Sequence, residues 1–245
     1  MNRVVIELTA RQLLGKRRTL LLLGFAMLPV AIAILYRVSS KDTNQPRWTS
    51  MALGSRLIVG TLLPLCSLVF ATAAMGSEIE DGTAVYLLSK PIPRWQIIIS
   101  KLFVAWMATA VLVVLATAVA QTIAIQGAPS QGIVPGFVVA VVAGAFVYCA
   151  LFLMLSIFTS RALIAGLLYV FFWEALLTNL FTGLRIFSVR QYTLGIAHGI
   201  ADTSEATFTA KLDGPEATIL LLVVSALAVV FAVRRLQRWE IGEST

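Results

Sequence analysis

Charge is what this sequence has least of. Of its 245 residues, 13% are Asp, Glu, Lys or Arg, whereas 59% are hydrophobic. Soluble domains carry about a quarter charged residues, so an ordinary water-facing surface is excluded. Cysteine and histidine are nearly missing. Cys66 and Cys149 both lie inside apolar runs, and His198 stands alone between small residues. Two thiols so placed build no extracellular disulfide framework, and no Cys/His spacing suits a metal ion. No Gly-x-x-x-x-Gly-Lys-Ser/Thr run occurs, so the chain lacks the recognisable backbone cradle and lysine that nucleotide phosphates need. The apolar runs carry no Ser/His/Asp, Cys/His or paired-acid constellation for catalysis. The formal charge is +7, but the cations flank apolar runs instead of sharing one soluble face. That distribution speaks for a membrane and against a nucleic-acid partner.

What the chain has is apolar length. A helix needs about 20 apolar residues to cross roughly 30 Å of hydrocarbon. Six windows qualify: Thr19 to Tyr36, Met51 to Gly76, Lys101 to Ile125, Ile133 to Phe158, Ala162 to Phe181, and Ala217 to Val233. The expected fold is therefore an all-α integral membrane protein with six transmembrane helices in one domain over residues 1–245. The first window is too long, and begins too far from the N-terminus, for a cleaved signal peptide. It reads as a retained span. With both termini cytoplasmic, twelve Lys and Arg fall inside, including Lys90, Arg94, Lys101, Arg161 and Arg234. Six fall outside, namely Arg37, Lys41, Arg47, Arg185, Arg190 and Lys211, and Arg56 sits within the second span. That imbalance sets the orientation and predicts a multi-pass protein of the cytoplasmic (inner or plasma) membrane.

Several local features follow. Residues 1–18 read as an interfacial amphipathic helix, with Val4, Val5 and Leu8 on one side, Leu13 and Leu14 continuing it, and Lys16-Arg17-Arg18 at the boundary. Pro29 and Pro64 are expected to kink spans one and two. Gly136, Ala140 and Gly144 recur every four residues in span four, which lets another helix approach closely. The extracytoplasmic loop 182–216 is too apolar for free solvation, and short helices dipping back into the bilayer are expected there.

The most patterned stretch is 77–95, between spans two and three. Glu78, Glu80 and Asp81 mark the water boundary. Gly82 permits a sharp turn, and Asp81 or Thr83 can cap the next helix. Ala84 to Leu88 makes about one and a half turns, Pro91 and Pro93 end it, and Arg94, Trp95 and Lys101 suit an interfacial anchor. Such a short cytoplasmic helix can dock into a groove on a soluble partner, or serve as a plain polar connector.

The run from Glu78 to Arg94 (Glu-Ile-Glu-Asp-Gly-Thr-Ala-Val-Tyr-Leu-Leu-Ser-Lys-Pro-Ile-Pro-Arg) resembles the segment after the second span in permeases of the type-2 ABC transporter family. The likeness extends to the amphipathic N-terminus, six spans and a long outer loop before the last. It implies that 77–95 is a coupling helix contacting an ATPase subunit, with Glu78, Glu80, Asp81, Gly82, Thr83, Leu87, Leu88, Pro91 and Arg94 as the contact residues. It also implies a cytosolic ABC ATPase in two copies, a second permease subunit, and export. ATP and Mg would sit on the partner, with no cofactor or metal on this chain. The chain itself would not be an enzyme. An alternative is a polytopic enzyme acting on lipid or isoprenoid, with Glu78, Glu80 and Asp81 as metal ligands, although no second acidic cluster faces them.

Glu174 is the one acid inside a window. An ionisable residue at membrane depth is a functional candidate by default. Thr178 lies one turn further on the same face, and Arg56 sits at similar depth counted from the outer ends. Arg56 and Glu174 are expected to pair or to line a translocation path.

Overall fold

The computed structural model describes residues 3–14, 17–39, 45–80, 93–125, 132–159, 161–180, 182–201, 212 and 214–237. Among these the secondary structure is helical throughout, with no strand. Apolar periodic runs this long leave backbone groups no partner in lipid except their own helix.

An N-terminal helix α1 (Arg3–Leu14) precedes α2 (Arg17–Ala26) and α3 (Leu28–Ser39). Pro29 sits in the first turn of α3, where its missing N–H costs nothing, and the break falls at Met27. A short α4 (Gln45–Trp48) leads into π1 (Thr49–Leu62), a 14-residue π-helix, and then α5 (Leu63–Glu80). The wide i→i+5 bonding persists to the end, since the Leu63 N–H donates to the Ile58 carbonyl. Pro64 follows at once and opens the α-helical half. Both expected prolines thus mark a change of helix segment. The long α6 (Arg94–Ile125) and α7 (Ile133–Phe158) come next. Then α8 (Ala162–Leu168), π2 (Tyr169–Leu177) and α9 (Thr178–Leu180) form one continuous run. A 3-10 turn (Thr182–Phe187), α10 (Val189–Ile200) and α11 (Gly214–Gln237) complete the chain.

Among the described residues, five helices are long and apolar enough to cross a membrane: Leu20–Ser39, Pro46–Gly76, Arg94–Ile125, Ile133–Phe158 and Gly214–Gln237. The fifth window is represented by a shorter apolar helix, Ala162–Leu177. At ~1.5 Å per residue the 32 residues of α6 reach about 48 Å, so α6 begins well before its apolar stretch.

The centre of the bundle is α7, which packs against α5, α6, α10 and α11. A helix apolar all round belongs in such a position. The outer helices split cleanly: on α11 Leu221, Ser225, Ala228 and Ala232 are buried, while Leu222, Val223, Leu227 and Phe231 are exposed. Exposed apolar surface on this scale suits lipid and not water. Four helix ends share one end of the bundle. The Arg94 guanidinium bonds the carbonyls of Leu236 and Gln237, the Lys101 ammonium bonds the Ala74 carbonyl at 2.6 Å, and Arg235 lies over the Phe158 ring.

Two expectations about flanks need correction. Lys101 is no surface anchor; it is 1% exposed, because its ammonium is needed by a helix carbonyl. On α1 the buried positions are Thr9 and Leu13, with Ile6 and Ala10 packed beside them, whereas Leu8 is exposed. Of the positions read as its apolar side, Leu13 is buried and Leu8 is not, because α5 and α6 are packed against the side of α1 that carries Ile6, Thr9 and Leu13.

Candidate functional site

Among the described residues, two places tie charged side chains to neighbouring helix ends. The first surrounds Glu174 on π2, whose side chain is 3% exposed. One carboxylate oxygen, Oε1, accepts from the Tyr148 hydroxyl at 3.3 Å, the Tyr169 hydroxyl at 3.2 Å and the Val189 N–H at 2.9 Å. The other, Oε2, accepts from the Ser188 hydroxyl at 2.5 Å. These donors reach both oxygens of the carboxyl group, which offers roughly four lone-pair positions, so it is held from several sides. Two of these donors belong to the first residues of α10. Ser188 is its N-cap, in extended conformation, and also accepts from the Gln191 N–H. A helix start has free N–H groups and a positive dipole end, so an acid there is favourable. Glu174 is thus a cap supplied from another helix.

The geometry around it explains why α10 can sit so deep. Tyr148 is near the middle of α7, and α10 runs back along α7 toward its start. A Cβ on Gly144 would meet Thr193 Oγ1 at 2.5 Å, and one on Gly136 would meet the Ala197 carbonyl at 2.9 Å. The small-residue stripe of span four is therefore the track on which α10 lies, antiparallel to α7. The segment 182–201, read from sequence as outer loop, contributes a helix packed against the bundle centre. Its cation Arg190 is half-buried, and its guanidinium reaches Ser55 of π1 at 3.4 Å. The first turn of α10 thus touches π2, α7 and π1 together. Both π-helical segments supply partners to this turn, and such wide turns are rare and concentrate at functional sites.

Arg56 is not brought to Glu174. It lies exposed on π1, on the side away from buried Gly54 and Ile58. Counting residues from the helix end gave depth but not rotation, and the wide π turn fixes the rotation. Thr178 is buried, yet its hydroxyl donates to the Glu174 carbonyl at 2.6 Å and so serves its own helix. Reading the sequence missed Tyr148, Tyr169 and Ser188. One signal was available: Ser188-Val-Arg-Gln191 has the Ser-x-x-Gln spacing of a capping box.

The second place is the end of the bundle that leads into residues 77–93. Asp81, Gly82, Thr83, Leu87, Leu88 and Pro91 lie outside the described residues, as do the side chains of Glu78 and Glu80. Arg94 is described: its guanidinium bonds the last two carbonyls of α11. The segment thus leaves into a helix tied to the end of the final span, and it follows a helix tied to α6 by Lys101.

With this architecture in view, the comparison with known families is decisive. The family model described as ABC-2 family transporter protein matches residues 4–238. The chain belongs to that family. No curated protein matches it. This ABC-2 chain is a multi-pass integral membrane protein and the permease component of an ABC transporter. The alternative of a lipid-modifying enzyme finds no support in the match.

Proposed function

We propose that the chain is the membrane subunit of an ATP-driven exporter, powered by a separate cytosolic ABC ATPase present in two copies and paired with a second permease subunit. The observation that carries the reading is the family match over residues 4–238, joined to a sequence without a phosphate-binding P-loop. The Lys and Arg distribution supports cytoplasmic termini and a cytoplasmic segment 77–95. In this reading Glu78, Glu80, Asp81, Gly82, Thr83, Leu87, Leu88 and Pro91 form the ATPase contact. Arg94 takes a different part: it links the exit of the contact segment to the last helix, so a push on 77–93 reaches α11. Lys101 links the same segment to α5. The deep start of α10 forms a re-entrant plug on the outer half, held by Glu174 and freed or shifted when the spans reorient. ATP and Mg stay on the partner.

The test is replacement of Leu87 and Leu88 by Asp. The variant is expected to fold and reach the membrane but to lose co-purification with its ABC ATPase partner, and to lose its stimulation. Unchanged co-purification together with unchanged transport would sink the reading.

A further inference from the structure

We infer that the groove between α3 and π1 is a binding site for an anionic membrane phospholipid, with the phosphate on Arg56 and an acyl chain along the apolar wall. The groove has a volume of about 300 Å³, and its lining includes Ile32, Trp48, Ala52, Arg56, Leu57 and Thr61. The Trp48 indole stacks face to face on the Tyr36 ring, with centroids 3.6 Å apart, which fixes the aromatic end. The Thr61 hydroxyl is turned to the Arg56 carbonyl. Among the described residues that line the groove, Arg56 is therefore the one charged side chain in a largely aliphatic and aromatic wall.

Depth and pairing decide what it binds. Arg56 lies ten residues in from Pro46 on the apolar helix Pro46–Gly76. At ~1.5 Å per residue that is about 15 Å from the helix end, inside a helix longer than the hydrocarbon is thick. A guanidinium facing bare hydrocarbon there is strongly disfavoured. Glu174 is the one acid within the six apolar windows, and its carboxylate already accepts from Ser188, Val189, Tyr148 and Tyr169. Among the described residues no other carboxylate lies inside an apolar window. A phosphodiester supplies the missing charge. Arginine engages it through two parallel N–H bonds, and its aliphatic stem can lie along the wall while the head rises toward the lipid phosphate. The acyl chain then replaces contact with loosely packed lipid by contact with Ile32, Ala52 and Leu57. The inference concerns binding by this chain alone and does not depend on how transport is powered.

The experiment uses the full chain in lipid nanodiscs with Trp48 as the single tryptophan, the other four replaced by Phe. Its fluorescence is quenched with dibrominated phosphatidylglycerol or dibrominated phosphatidylcholine at equal mole fraction. Phosphatidylglycerol is expected to be preferred about fivefold, the value of one cation attracting an anionic lipid. Arg56→Gln should abolish the preference and Arg56→Lys should keep most of it. Equal quenching by the two lipids overturns the inference, as does a preference that survives Arg56→Gln. So does absence of quenching by either, the result if a second copy covers the groove. Native mass spectrometry of the chain with its own tryptophans reads the same contrast without the Phe replacements. There, loss of phosphatidylglycerol adducts in Arg56→Gln supports the site, and unchanged adducts refute it.

Discussion

Glu174 and Arg94 do the same kind of work with opposite charge at opposite helix ends. Glu174 meets the start of α10, where N–H groups point outward without partners. Arg94 meets the end of α11, where carbonyls do. Each charge matches the dipole end that it faces. The two differ in enclosure. Glu174 is buried with both carboxyl oxygens engaged, whereas Arg94 is half-exposed and bonds the last two residues of its partner helix. A buried charge with four partners is costly to disturb, and a half-exposed one that ties down a helix end is cheap to disturb. The contrast suits a protein that must hold one helix firmly at its centre while passing movement through its rim.

The hardest way to break that contrast is Glu174→Leu. It strips an acceptor from three hydroxyls and a helix N–H in a site closed to water. Each buried polar group left unmet costs about 1–3 kcal/mol, so an overall loss of at least about 3 kcal/mol is expected. Thermal unfolding in detergent should show it, together with faster hydrogen exchange along α10. Glu174→Gln keeps one acceptor but turns an NH2 toward other donors, and should fall between. If Glu174→Leu unfolds like the parent protein, the acid is not the anchor of α10.

Arg94→Gln should do less globally and more locally. Two charge-assisted bonds to Leu236 and Gln237 go, at a cost of about 1–2 kcal/mol given water's access to the site. Hydrogen exchange should rise in the last turn of α11 and not at α10. In the complex, ATPase activity should persist while its dependence on substrate weakens, since the helix pushed from 77–93 no longer holds α11. Arg94→Lys, which keeps charge but not the two-pronged geometry, should recover part of the exchange protection. Equal exchange in the parent and Arg94→Gln chains would mean that the α11 end is held by other contacts.

These two regions were not equally legible. The apolar windows announce helices because nothing else satisfies a backbone in lipid, and their lengths placed most of the bundle. Pro29 and Pro64 announced breaks, and both fall at segment starts. Arg94 was noticed, but as a contact for a partner, because no sequence pattern says that residue 94 lies beside residue 236. Glu174 was noticed for its depth, yet its partners were assigned by matching charge with Arg56. That rule fails because a buried carboxylate is satisfied by any donors, and neutral hydroxyls and a helix start give no charge signal. The π turns were illegible as well. No residue type marks them, so the rotation that turns Arg56 away from Glu174 could not be read from spacing.

The finest test of the comparison is Tyr148→Phe. It removes one hydroxyl from Glu174 while keeping the ring that packs on Phe152 at 5.9 Å. The bond it deletes is long, 3.3 Å, and three other donors remain on the carboxylate. Interhelical bonds of this kind in membranes are worth about 0.6 kcal/mol on average, so a loss near that size is expected. A cycle with Ser188→Ala sharpens it. If these donors act as a network, losing both hydroxyls should cost more than the sum of the single changes, because Tyr169 is then the last hydroxyl on the carboxylate beside the backbone N–H groups at the start of α10. Strict additivity would instead mean that the Val189 N–H already carries the anchor, and that the hydroxyls around Glu174 merely fill its remaining lone pairs.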